Sequence, residues 1–221
     1  MKKALVIGAS GGIGAAIAAQ LEARGMSVTG LSRSADGLDL TDDQRSARIL
    51  QGLDTPYDLV LVATGALEIN GAVPEKSLRT LSAQAMADQF ALNAIGPALV
   101  LREASRLLPR ESRSVCAVLS ARVGSIGDNR LGGWVSYRAS KAALNQIVRT
   151  AAIELARSHK QAVCVALHPG TVATAFTEKY LGRHPAVLPN EAASNLLRVI
   201  EGLTPEQSGG FYDWAGKEVP W

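Results

Sequence analysis

The chain has 221 residues, 47% of them hydrophobic and 19% charged, with 21 glycines, 9 prolines and a formal net charge of +3. This composition excludes a disordered chain, a coiled coil and a collagen, and the length suits one domain, residues 1–221, with a sizeable core. No apolar run approaches the roughly 18 residues of a spanning helix, and the basic cluster Arg102, Arg106, Arg110 and Arg113 has no aromatics among its arginines; a solvated helix end is expected there, and neither a membrane nor a nucleic acid as partner.

Ala4-Leu5-Val6-Ile7 predicts a first strand, ended by Gly8. Ile13, Ile17 and Leu21 recur every fourth residue and predict a helix that closes near Gly25. A second short strand follows over 27–31, then a polar helix over about 41–51. Leu59 to Val62 is apolar throughout, as in a strand buried on both faces. A long helical stretch spans about 83–108, a buried strand 115–119, a helix about 135–157, a strand 163–167 and a last helix about 191–200. Short apolar runs alternating with longer helical patterns are the signature of βα units on a parallel sheet. The expectation is an α/β fold, a doubly wound parallel sheet with helices on both faces.

Met1-Lys2-Lys3 and the Ala-rich stretch after it have the outline of a secretory signal. Gly8, Gly11, Gly12 and Gly14 interrupt it where such a segment should be helical, so a cytoplasmic chain is expected. Cys116 and Cys164, each within a strand pattern, read as buried free thiols of a reducing compartment. His159, His168 and His184 lack metal-ligand spacing, and no metal site is expected.

Gly8-Ala9-Ser10-Gly11-Gly12-Ile13-Gly14 joins the first strand to the first helix. Glycines there let the backbone turn tightly and approach a pyrophosphate, and the helix N-terminus offers unpaired N–H groups to it. No Gly-Lys-Ser/Thr follows, so this is not a Walker loop. An NAD site would place an acid at the end of the second strand, where this chain has Leu31-Ser32-Arg33-Ser34. A cation beside two hydroxyls suits a 2′-phosphate, which favours NADP, with NAD as the alternative. Tyr137 and Lys141 are four apart at the start of a helix and share one face. An ammonium beside a phenol favours the phenolate, making Tyr137 a proton donor to a carbonyl oxygen.

The glycine loop, Asn93 within a helix, Tyr137-Arg138-Ala139-Ser140-Lys141 and His168-Pro169-Gly170-Thr171-Val172-Ala173-Thr174 together resemble the short-chain dehydrogenase/reductase family over nearly the whole chain. Within it, Ser120-Ala121-Arg122-Val123-Gly124-Ser125-Ile126 and the closing Gly210-Phe211-Tyr212-Asp213 are similar to the C-factor-type subgroup. The resemblance implies a Rossmann fold, NAD(P)-dependent carbonyl/alcohol chemistry on a small molecule, and a homodimer or homotetramer in which the helices of Asn93 and Tyr137 pair. It implies Tyr137 as general acid–base, Lys141 on the nicotinamide ribose, and Asn93 holding a relay water through its backbone carbonyl. Cofactor contacts would fall on Gly8, Ser10, Gly12, Ile13 and Gly14, on Asp39 and Leu40 near the adenine, on Ala63, Thr64 and Gly65, and on Pro169, Gly170, Val172 and Thr174.

Pro97 stands four residues after Asn93 and has no N–H for that carbonyl, so a kink is expected there. The sequence also departs from the family's pattern. Its serine position holds Ala121, with Ser120 beside it as the catalytic candidate and Ser125 as another; Val62-Ala63-Thr64-Gly65 replaces Asn-Asn-Ala-Gly; and Ile7 replaces the usual threonine. Two functions follow: an NADP(H)-dependent carbonyl/alcohol oxidoreductase, or a cofactor-binding signalling or regulatory protein with weak or no turnover. The substrate-covering segment is expected at about 175–190, with Phe176, Tyr180 and Leu181 near the pocket and Trp134 and Arg130 on its other side.

Overall fold

The computed structural model describes residues 1–175, 177–181 and 186–221. Six parallel strands form one sheet: β1 (Lys3–Ile7), β2 (Ser27–Leu31), β3 (Leu59–Val62), β4 (Ser114–Leu119), β5 (Ala162–His168) and β6 (Phe211–Asp213), in the spatial order β2-β1-β3-β4-β5-β6. The chain leaves β1 outward to β2 and returns to β3 on the other side. The strand order therefore reverses between β1 and β3, and the crevice beyond the carboxyl ends of those strands is where such sheets take ligands.

Alternate strand residues feed two cores, as the period of two requires. On one face α1 (Gly12–Ala23) and α8 (Pro189–Gly202) bury Ile17, Leu21, Leu196 and Ile200 against Val6, Leu61 and Val165. On the other, α3 (Asp43–Gln51), α5 (Gly96–Arg102), α6 (Ala104–Leu107) and α7 (Val135–Leu155) bury Leu50, Val100, Leu107, Leu144 and Val148 against Val60, Val118 and Cys164. Cys116 and Cys164 are free, fully buried and directly paired across β4 and β5. The thiol of Cys116 beside it, together with burial, pushes Cys164 well above the usual thiol range.

Three elements differ from the sequence reading. The stretch read as one helix over 83–108 is α4 (Ala83–Phe90), a π turn over Ala91–Ile95, α5 and α6. Pro97 sits at the start of α5, and the Gly96 N–H bonds back five residues to the Ala91 carbonyl. A proline that cannot donate to residue 93 thus leaves a wider turn rather than a simple bend. A one-turn helix, α2 (Arg33–Asp36), follows β2, and the three residues of β6 form an edge strand that periodicity could not reveal. The arginine cluster is also less free than expected. Arg102 pairs with Asp43, Arg106 reaches the Leu50 carbonyl, and Arg113 donates to the carbonyls of Ile200 and Leu203 at the end of α8.

Candidate active site

The glycine loop between β1 and α1 turns at Gly8, whose φ of +90° suits glycine, and a Cβ there would lie 3.0 Å from the Ala63 carbonyl carbon. A Cβ on Gly14 would stand 2.2 Å from the Gly8 carbonyl oxygen, so that glycine lets α1 pack onto the strand's exit. The N–H groups of Gly8 and Ala9 both bond to the Leu31 carbonyl, which brings the end of β2 beside the loop.

A cleft of about 990 Å³ opens over this crevice. Ser10, Gly12 and Ile13 line it from the loop, Ala63, Thr64 and Gly65 from the turn after β3, and Pro169, Gly170, Val172 and Thr174 from the turn after β5. The residues present fit a dinucleotide. Gly11 caps α1 without a side-chain bond and no acid lies in the first turn, so its N–H groups and positive end face the cleft. The buried Thr64 hydroxyl has no partner among the described residues. Arg33 is exposed at the start of α2, outside the cleft lining. Asp39 and Leu40 also lie outside it: the Asp39 carboxylate accepts from the hydroxyl and N–H of Thr41, which hold its pKa low, and Leu40 packs against Gly96.

Tyr137 and Lys141 stand on one face of α7 and both line the cleft while nearly fully buried. The Lys141 Nζ donates to the Leu119 carbonyl at 3.0 Å and lies 5.9 Å from the centre of the Tyr137 ring. The expectation that the lysine draws the phenol down meets a larger opposing effect. Burial raises the Tyr137 phenol and lowers the Lys141 ammonium to about 8. Tyr137 is accordingly held protonated at neutral pH.

Asn93, in the π turn, is fully buried outside the cleft lining. Its side chain grips residue 66, Oδ1 accepting the Ala66 N–H and Nδ2 donating to the Ala66 carbonyl, both at 2.9 Å, and Nδ2 also reaches Gln89 Oε1. A Cβ on Gly65 would lie 2.9 Å from Asn93 Oδ1 and 3.5 Å from Lys141 Nζ, so asparagine and lysine converge at that glycine.

Ser120 borders the cleft, but its hydroxyl donates to Asn145 Oδ1 at 2.6 Å, one helical turn beyond Lys141. Ser125 is buried, its hydroxyl accepting the Asp128 N–H. Ala121, which lines the cleft, brings no donor. Arg130 and Leu181 do not line it, and Phe176 lies outside the described residues.

Sequence reasoning missed two glutamates of the loop after β3. Glu75 accepts the Ser136 N–H and hydroxyl through its carboxylate and the Trp134 N–H through its carbonyl, gripping the first turn of α7. Glu68 takes the Tyr180 hydroxyl at 2.7 Å and the Lys179 ammonium at 2.9 Å. Both sit in a stretch without periodicity, so the sequence carried no signal for either. The sequence assigns His168 no role of its own beyond its place in the motif after β5. The histidine lines the cleft with its buried Nδ1 unpartnered among the described residues, and burial lowers it to about 4.

The fold is that of a Rossmann-type α/β protein, and its cleft carries a tyrosine–lysine pair. Residues 8–207 match the family model described as enoyl-(acyl carrier protein) reductase, and the chain belongs to the short-chain dehydrogenase/reductase family of oxidoreductases. It is 35% identical over 233 residues to the 1-hydroxy-2-glutathionyl-2-methyl-3-butene dehydrogenase of Rhodococcus sp. (strain AD45), covering all of both chains. It is 42% identical over 140 residues to the C-signal protein of Myxococcus xanthus, covering 62% of this chain and 78% of that one. Among solved structures it is similar to the carbonyl reductase Sniffer of D. melanogaster, with a TM-score of 0.80 at 19% identity over the whole of both chains. It is similar also to the NADPH-bound carbonyl reductase from chicken fatty liver, with a TM-score of 0.79 at 24% identity over 100% of this chain and 94% of that one. At those identities the structural likeness is one of fold. Among the described residues no helix is long and apolar enough to cross a membrane, and no group of three or more metal-ligating side chains forms.

Proposed function

We propose that the chain is an NADP(H)-dependent oxidoreductase interconverting a carbonyl and an alcohol, with Tyr137 as general acid–base. The observation that carries this reading is the buried Tyr137–Lys141 pair opening onto the cleft rimmed by the glycine loop. The nicotinamide, when bound, supplies or accepts the hydride at the substrate carbon. In reduction Tyr137 gives its phenol proton to the carbonyl oxygen, and burial, by keeping the phenol protonated, suits that role. Lys141 then stabilises the phenolate left behind and binds the nicotinamide ribose, and Asn93 holds the relay water through its backbone carbonyl. Arg33, exposed beyond β2, is the reader of the 2′-phosphate and the reason for NADP over NAD. Asp39 and Leu40 serve the adenine end from behind the cleft lining. Ser120, as the catalytic serine, must turn its hydroxyl from Asn145 to reach the carbonyl oxygen. The expected setting is cytoplasmic, as a homodimer or homotetramer.

Parallel fluorescence titrations with NADPH and NADH test the cofactor assignment: NADPH is expected to bind at least tenfold more tightly, and binding of neither overturns the reading. Tyr137→Phe is expected to lose at least 100-fold in turnover while still binding NADPH.

A second reading, a cofactor-binding signalling or regulatory protein, draws on Ala121 and on the relative named C-signal. A missing donor to the developing oxyanion lowers turnover by ~10²-fold or more. Under this reading Tyr137→Phe keeps its function in vivo.

A further inference from the structure

The part of the cleft beyond Tyr137 differs in character from the part that suits a dinucleotide. Trp134 stands edge-on to Tyr137, with ring centres 6.3 Å apart, and edge-on to Tyr180, with centres 5.4 Å apart. Leu67, Ala121, Val123 and Leu131 line the same cleft. Leu131 is 91% exposed at the mouth, an apolar side chain placed where an apolar ligand would cover it.

The rings are held in place. Trp134 adopts a left-handed backbone (φ 52°) that disfavours a residue with a Cβ, and the Glu75 carbonyl secures it by accepting its N–H at 2.5 Å. Tyr180 is fixed through its hydroxyl to Glu68, whose other oxygen holds Lys179. Val187 donates its N–H to the Thr171 carbonyl and accepts the Ala173 N–H at its own carbonyl.

The charged groups near this end are spent on the protein. Arg122 pairs with Asp128, and Arg138 donates to the carbonyls of Gly132, Gly133 and Val123. His168, lowered to about 4, is neutral at physiological pH. Tyr137 stands there as a proton donor for a carbonyl oxygen, beside an aromatic and aliphatic wall. Flat apolar groups gain most from such a wall, through area removed from water and through edge-to-face contact.

We propose that the Trp134–Tyr180 wall is the site's substrate-recognition element and that it selects uncharged carbonyl compounds bearing a flat aromatic or conjugated group next to the reacting carbon. This rests on the carbonyl/alcohol reading of the same cleft. In reduction the carbonyl carbon gains the hydride, the oxygen gains the Tyr137 proton, and NADPH is oxidised to NADP⁺.

The test compares 4-nitrobenzaldehyde, 4-carboxybenzaldehyde and propanal as substrates with NADPH, and measures binding of 4-nitrobenzyl alcohol by equilibrium dialysis, for the wild type, Trp134→Ala and Tyr180→Ala. In the wild type, kcat/KM for the nitro compound is expected to exceed that for the carboxylate at least tenfold. Each variant is expected to lose at least tenfold more on 4-nitrobenzaldehyde than on propanal, mostly in KM, and to bind the alcohol at least tenfold more weakly. Preference for the carboxylate, equal losses on both aldehydes, or unchanged alcohol binding in both variants overturns the proposal. If the protein binds NADPH but reduces no aldehyde, the oxidoreductase reading fails by itself, and alcohol binding still decides the wall. Tyr180, at the surface end of the wall, supplies the answer should Trp134→Ala fail to fold.

Discussion

Lys141 shows at the scale of one residue how a site works against the stability of its own chain. Burial lowers its ammonium from 10.5 to about 8, so between those values the unfolded chain holds the proton that the folded chain has lost. The penalty is complete below pH 8 and fades as pH rises toward 10.5; at its fullest it amounts to about 3 kcal/mol. Replacing the lysine removes that penalty but leaves the Leu119 carbonyl without its donor, a loss of about 1–2 kcal/mol. Lys141→Met is therefore expected to be about 1–2 kcal/mol more stable than the wild type at pH 7, with the advantage gone by pH 10, and at least 100-fold less active. Denaturant titrations at the two pH values measure the first, and steady-state rates the second. A variant no more stable at pH 7 would show that the lysine is held without cost. The lysine was legible in the sequence as a partner for the tyrosine, but the sign of the tyrosine's shift was not. Spacing showed a charge nearby, whereas the larger effect comes from a core that only the folded chain assembles.

At the scale of an element, the π turn before Pro97 repays attention. The proline and its four-residue distance from Asn93 were readable, and so was a break in the helix. The form of the break was not, because whether a helix bends or widens depends on which neighbouring groups the turn must meet. Here Asn93 must reach both backbone groups of Ala66. An alanine at 97 restores an N–H four residues after Asn93 and favours a regular helix that rotates the asparagine away from that grip. Pro97→Ala is expected to lower kcat about tenfold or more while NADPH affinity stays within about twofold. An unchanged kcat would separate the turn from the chemistry. The other elements followed from simple patterns. Apolar blocks such as Leu59–Val62 gave the central strands, and Ile13, Ile17 and Leu21 gave the first helix. The three residues of β6 are too few to carry a period, and α2 is one turn after Ser32, whose hydroxyl accepts the Ala35 N–H and serves equally well at a loop.

For the whole molecule, the π turn that holds Asn93 and the helix that holds Tyr137 each expose an isoleucine. Ile95 is 53% exposed beside α5, and Ile153 is 54% exposed on α7. If these helices pair in a homo-oligomer, as the family resemblance implies, both isoleucines become covered. Ile153→Glu is then expected to shift the species measured by light scattering toward monomer at micromolar concentration, and to lower the melting temperature by several degrees. A wild type that is itself monomeric would remove this assignment and leave the cleft untouched. Much of the cleft's lining was visible in the chain's motifs, since the glycine loop and the stretches at 63–65 and 169–174 each follow the carboxyl end of a strand. What holds Tyr180 and the start of α7 was not visible: Glu68 and Glu75 meet Tyr180 and Ser136 only once the chain has folded.

The two thiols at the centre of the sheet make the molecule its own reporter. Cys116 and Cys164 are fully buried, lie side by side on adjacent strands, and the latter is pushed well above the usual thiol range, so neither meets a reagent while the sheet is closed. A thiol-reactive dye in excess would therefore be consumed only as fast as β4 and β5 come apart. With strands on both sides of that pair, this is the rate at which the fold itself opens. Ligands that tighten the cleft would slow the same signal, so one colorimetric trace could rank cofactors and substrates by how firmly each closes the protein, with no turnover required.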